Sequence, residues 1–134
     1  MKNIGKIILG AVAITLLYGC DFGRSLKKEK ITKIETRAEF DEALKCKKPV
    51  VAKFSGSRCA ASKAMNPIFA KSAGKYYEDV KFIDVDVDKA DGVAEEFKIQ
   101  GIPAFIYFKD GERVKKIEGS MPQEELDLSI ERFK

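Results

Sequence analysis

The chain has 134 residues, with 25 Lys and Arg against 21 Asp and Glu, a formal charge of +4, three cysteines and no histidine. That inventory does not suit a structural zinc site of the common Cys/His type, and it excludes a Cys–His nucleophilic pair, so neither a metal nor another cofactor is expected. The modest charge points to no nucleic-acid partner, and the length suits one ordinary domain behind a short leader.

The leader comes first. Lys2 and Lys6 make a positive region ahead of an apolar run of eleven residues, Ile7 to Leu17. A bilayer span needs about 20 residues, so the run is too short to cross, and its flanks are those of a secretory signal. It ends in Leu17-Tyr18-Gly19-Cys20, which resembles the bacterial lipobox, a small residue followed by the cysteine that is lipidated. The resemblance implies a lipoprotein signal peptide over residues 1–19, a lipidated Cys20 as mature N-terminus, and a tether over residues 20–30. Several acyl chains, at about 0.8 kcal/mol per buried CH₂, make a firm anchor. Losing residues 1–19 removes two lysines and no acid, which leaves +2. The implied location is the bacterial cell envelope, with the protein lipid-anchored outside the cytoplasm. By resemblance to enterobacterial lipoproteins, Asp21 directs it to the inner membrane, facing the periplasm. Arg24, Lys27, Lys28 and Lys30 either stay solvated or lie against anionic lipid.

The body, residues 31–134, is read in chain order. Ile31 to Ile34 alternates as a short strand does, and Thr36-Arg37-Ala38-Glu39 is a capping box opening a helix with Phe40, Ala43 and Leu44 inward. Pro49 ends the connection, and Val50 to Phe54 reads as a buried strand. A helix starting near Cys59 places Met65, Ile68, Phe69, Ser72, Ala73 and Tyr76 on one face, with Pro67 inside it. Val80 to Val87 alternates apolar and charged residues as a strand does. Asp88 is expected to cap a helix over Lys89 to Lys98 that buries Val93, Ala94 and Phe97. Ile102-Pro103 leads into the apolar strand Ala104 to Phe108, Asp110-Gly111 turns the chain, and Glu112 to Glu118 returns. Ser120-Met121-Pro122-Gln123 starts a last helix with Leu126, Ile130 and Phe133 inward. This β-α-β-α-β-α-β-β-α order gives an α/β fold, a mixed central sheet with helices on both faces.

The chemistry is expected at Cys59, in Ser57-Arg58-Cys59-Ala60-Ala61-Ser62-Lys63, between a strand and a helix. Cys46 is not its partner, because about seven extended residues at about 3.3 Å each separate the two, and a disulfide needs Cα atoms within about 7 Å. Cys46 reads as an incidental residue at a helix end. A thiolate at a helix N-terminus gains about 0.3–2 kcal/mol, and the Ser62 hydroxyl can donate to it. Arg58 and Lys63 flank the cysteine, either lowering its pKa or standing as solvated charges, and Lys53 is a third cation expected to approach it.

From about Ile31 to the C-terminus the chain resembles the thioredoxin family. The resemblance rests on the Cys59 site after its strand, Pro67 in the next helix, Gly101-Ile102-Pro103, Phe108-Lys109-Asp110-Gly111-Glu112, and Gly119 before the last helix. It implies a thioredoxin-like fold, Cys59 as nucleophile, Pro103 as a cis-proline facing it, and Ile102 as the backbone partner of an extended substrate chain. Arg58, beside the nucleophile, is a further substrate contact. Three departures stand out. Ser62 replaces the resolving cysteine, Lys53 replaces a buried acid, and Arg58 replaces an aromatic residue.

With one thiol, a mixed disulfide can form but the chain cannot resolve it unaided. The expected function is a monothiol oxidoreductase or isomerase-like activity on protein thiols and disulfides, or on small thiols such as glutathione. The alternative is a non-catalytic module that holds a partner at the Pro103 groove. A peroxiredoxin fits poorly because the Pro and Thr expected before its cysteine are absent from Phe54 to Arg58, and Ala60-Ala61 departs from a cluster-binding monothiol glutaredoxin.

Overall fold

The computed structural model describes residues 30–134. The expected signal peptide, Cys20 and all but the last residue of the tether lie outside the described residues. Among the described residues no helix is long and apolar enough to cross a membrane.

The elements are β1 (Ile31–Ile34), α1 (Arg37–Ala43), β2 (Val50–Ser55), α2 (Ala60–Tyr76), β3 (Lys81–Asp86), α3 (Val93–Glu96), β4 (Ala104–Lys109), β5 (Glu112–Glu118) and α4 (Gln123–Phe133). They form one five-stranded sheet in the order β1-β3-β2-β4-β5. The first three strands are parallel, and β4 and β5 run antiparallel to their neighbours. The α/β expectation of a mixed sheet between helices is therefore met.

Alternation along β2 sorts its side chains into two cores. Val50, Ala52 and Phe54 join Phe40 and Ala43 of α1, Ile83, Val85, Val93 and Phe108 on one face. Val51 joins Met65, Phe69, Ala73 and Tyr76 of α2 and Leu126, Ile130 and Phe133 of α4 on the other. Burying each large side chain stabilises by about 1.5–3 kcal/mol, so α1 and α2 are held mainly by these faces. The short α1 is also fixed at its start, where Glu39 N–H donates to Thr36 Oγ1 at 3.1 Å and Thr36 N–H donates back to Glu39 at 3.2 Å.

Two local structures are set by backbone preference. Asp110 (φ 53°) and Gly111 (φ 79°) both take the left-handed region, as a two-residue hairpin turn of type I′ demands. A register shift at Tyr107/Phe108 then leaves Val114 out of the pairing, 54% exposed.

One element departs from expectation. The helix expected over Lys89 to Lys98 is reduced to Val93–Glu96, entered through Gly92 at φ 77°. Asp86 competes for the preceding backbone. Its carboxylate accepts from Asp88 N–H at 2.9 Å and its carbonyl accepts from Lys89 and Ala90, so a turn forms where a capped helix was expected. Val93 is still buried, and Ala94 and Phe97 are partly so.

Candidate functional site

Cys59 is the N-cap of α2, in extended conformation, at the end of a loop that leaves the C-terminal end of β2. A capping position normally holds an oxygen that accepts a backbone N–H. Here the acceptor is sulfur, with Ser62 N–H donating to Cys59 Sγ at 3.4 Å. On its other side Sγ donates to the Ile102 carbonyl at 3.6 Å. Cys59 is half-buried and is the free cysteine among the described residues.

The loop carrying Ile102 is braced from β5. Gly119 N–H donates to Pro103 O at 2.7 Å, and Gln100 N–H donates to Glu118 at 3.2 Å. The Gln100 donation, with Lys116 beside it, holds the Glu118 carboxyl below its usual range. The Ile102–Pro103 peptide is cis. Gly56 lets the two loops meet, since a Cβ there would stand 2.8 Å from Ile102 Cδ1. Ile102, Pro103 and Cys59 are thus brought together.

Ser62 is 1% exposed, and its Oγ has no hydrogen-bond partner among the described residues. No hydrogen bond joins that hydroxyl to the thiol as it stands, but as a donor to the thiolate it is the largest influence pulling Cys59 below its ordinary value, ahead of the Ser62 N–H, with desolvation opposing and the Ala61 N–H smallest. The activation comes from hydrogen bonding at the helix start rather than from the flanking cations. Arg58 is exposed and makes no ion pair among the described residues, and neither does Lys63.

Lys53 does not approach Cys59. It is 1% exposed beneath Phe69, donates to Asn66 Oδ1 and pairs with Asp84 at 3.4 Å. Strand register explains this, because Lys53 lies directly opposite Asp84 on parallel β3 and shares its face. Lys53 is therefore paired with an acid across the sheet. Desolvation pushes the Lys53 ammonium below its ordinary value against the pull of Asp84.

Cys46 is a second correction. It is buried and is not free, so it is no idle residue at a helix end, and Cys59 is not its partner.

Three residues near the site were missed in the sequence. Asp84 and Asn66 enclose Lys53. Asp88 accepts from Ser57 N–H at 3.4 Å and Oγ at 3.5 Å, so the residue expected to cap a helix steadies the Cys59 loop instead. The alternation of β3 marks Asp84 as facing the same layer as Val51 and Lys53 only once β2 and β3 are known to be neighbours. Among the described residues no cluster of His, Cys, Asp and Glu could hold a metal ion.

Comparison with known proteins gives the same outline. Thioredoxin from Mycoplasmoides gallisepticum is 38% identical over 93 residues, covering 69% of this chain and 92% of its own length. Thioredoxin H3 from Arabidopsis thaliana is 40% identical over 88 residues, covering 66% and 73%. The solved thioredoxin of Malassezia sympodialis superposes with a TM-score of 0.71 at 27% identity, over 77% of this chain and 90% of that one. A family profile described as Thioredoxin matches residues 31–132, from the first strand into the last helix, and the chain belongs to that family.

Proposed function

We propose that this protein carries out thiol–disulfide exchange through Cys59 alone, as a monothiol oxidoreductase or isomerase-like protein anchored outside the cytoplasm by a lipid on Cys20. Membership of the thioredoxin family supports the exchange chemistry. One observation carries the single-thiol part: the free Cys59 faces a serine, buried and uncommitted, where a second sulfur would stand one helical turn on.

The Cys59 thiolate attacks one sulfur of a substrate disulfide. A Cys59–substrate disulfide forms, the substrate S–S bond breaks, and the other substrate sulfur leaves as a thiolate that takes a proton from solvent. The Ser62 N–H and hydroxyl hold the thiolate beforehand. The Ile102 carbonyl at the cis-proline loop accepts the substrate backbone, and exposed Arg58 meets the neighbouring substrate residues. Ser62 cannot attack the mixed disulfide. Release falls to another thiol of the substrate, which isomerises it, or to a small thiol such as glutathione.

Ser62→Cys tests the reading. In turbidimetric insulin reduction with dithiothreitol, the variant exceeds the natural chain by about tenfold or more, because a neighbouring thiol resolves the adduct internally. Robust turnover by the natural chain that survives Cys59→Ala contradicts the assignment.

A further inference from the structure

A cavity of about 430 Å³ opens behind Ser62, between the start of α2 and the C-terminal ends of β1, β2 and β3. It lies on the α2 side of the sheet. Its wall combines charged groups of both signs and one buried hydroxyl. Lys63 makes no ion pair among the described residues, and Asp86, whose Oδ1 accepts from Asp88 N–H at 2.9 Å, has no cation within salt-bridge distance there. Lys33 and Asp84 form a pair at 3.5 Å across the same wall, and Asn66 closes it. Ser62, 1% exposed, is one of the lining residues, and its buried Oγ has no partner among the described residues.

This hydroxyl relates the cavity to the thiol. Cys59 Sγ has Ile102 O at 3.6 Å and Ser62 N at 3.4 Å as neighbours. A substrate sulfur bonded to Cys59 occupies the Ile102 side, where the extended chain binds. Displacement at sulfur is in-line, so the resolving thiolate arrives from the side away from the leaving substrate sulfur. Ser62, which touches Cys59 and also lines the cavity, offers that approach.

We propose that the cavity binds a small zwitterionic thiol as the resolving co-substrate, with its sulfur against Ser62 Oγ, its carboxylate at Lys63 and its ammonium at Asp86. This rests on the exchange reading above and names the thiol that completes it. The bound thiolate attacks Cys59 Sγ, the Cys59–substrate bond breaks, and the substrate sulfur leaves and is protonated. A second small thiol then attacks the new mixed disulfide, restoring Cys59 and leaving a symmetrical small disulfide, so two thiols supply the two electrons.

The test uses the full chain, with Cys59 converted to its 5-thio-2-nitrobenzoate mixed disulfide and Cys59→Ala as the control for labelling at that position. Release of the chromophore is timed against concentrations of cysteine, glutathione, N-acetylcysteine, cysteine methyl ester and 2-mercaptoethanol, each rate corrected for thiolate fraction. Cysteine, glutathione or both should show saturation, which also separates the single amino acid from the tripeptide as the fitting ligand. The analogues lacking one charge, and 2-mercaptoethanol, should stay linear. Asp86→Asn and Lys63→Gln should each raise the half-saturating concentration of the saturating thiol by about fivefold, about 1 kcal/mol of binding. Rates linear for every thiol, ordered by thiolate basicity alone, overturn the site while leaving Cys59 exchange intact. Failure of Cys59 to form the adduct overturns the exchange reading and this proposal with it.

Discussion

At Cys59 the hydrogen-bonding environment, more than local charge, sets reactivity. The Ser62 hydroxyl and N–H lower the thiol pKa, and no lysine or arginine shares in that shift. Alkylation by iodoacetamide should therefore inflect below about 8.5, the ordinary thiol value. Because the folded state favours the thiolate, the reactive fraction is present above this lowered pKa and is lost as pH falls through it. Ser62→Ala should move the inflection upward by removing the largest favourable contact, while Arg58→Ala and Lys63→Ala should move it little. An inflection at or above about 8.5 in the natural chain, or one insensitive to Ser62→Ala, contradicts the account. The position of Cys59 and its serine neighbour were legible in the residues themselves. The source of the activation was not, since spacing shows that Arg58 and Lys63 are near in sequence but not that neither of them contributes to the shift at the thiol.

Between β2 and β3 the pair of Lys53 and Asp84 joins two parallel strands at the level of the site. Lys53 is buried and Asp84 is 11% exposed at its side chain, so removing one partner leaves the other poorly solvated. Asp84→Asn should destabilise the protein by about 2–3 kcal/mol in urea unfolding, and Lys53→Met combined with Asp84→Asn should recover most of that loss. A single-variant cost within about 0.5 kcal/mol would place the pair among surface-like interactions instead. The depressed Lys53 pKa adds a penalty on folding at neutral pH that is relieved as pH rises through it towards the ordinary lysine value. Elements with strong periodicity and punctuation were legible: the Thr36 capping box, the Val50 to Phe54 strand, the long helix after Cys59 and the Asp110-Gly111 turn all lie where pattern puts them. The segment after Asp88 was not, because the competing turn at Asp86 depends on a local side-chain bond that the apolar pattern does not report. Lys53 was misplaced for another reason, since its partner is fixed by strand register.

Across the whole molecule, the described chain enters and reacts at opposite ends of the sheet. Residue 30 leads into β1, whose first residue pairs with Phe82, and β2 begins level with Lys81, whereas Cys59 lies beyond the far end of β2. Six strand residues at about 3.3 Å put about 20 Å between those ends. Mass spectrometry of the membrane fraction should find the mature N-terminus at Cys20 with a thioether-linked acyl group, and Cys20→Ser should release the protein from membranes. Unprocessed chain beginning at Met1, or a Cys20 sulfur committed to a disulfide with Cys46, contradicts the anchor. The single-thiol account is tested most directly by mixing the reduced protein with a disulfide-containing substrate, quenching with acid and measuring intact mass. It predicts one substrate molecule disulfide-linked to each protein molecule, mapped to Cys59, persisting until a small thiol is added and absent in Cys59→Ala. Substrate released fully reduced without an added thiol, or an adduct that forms equally well in Cys59→Ala, would contradict it.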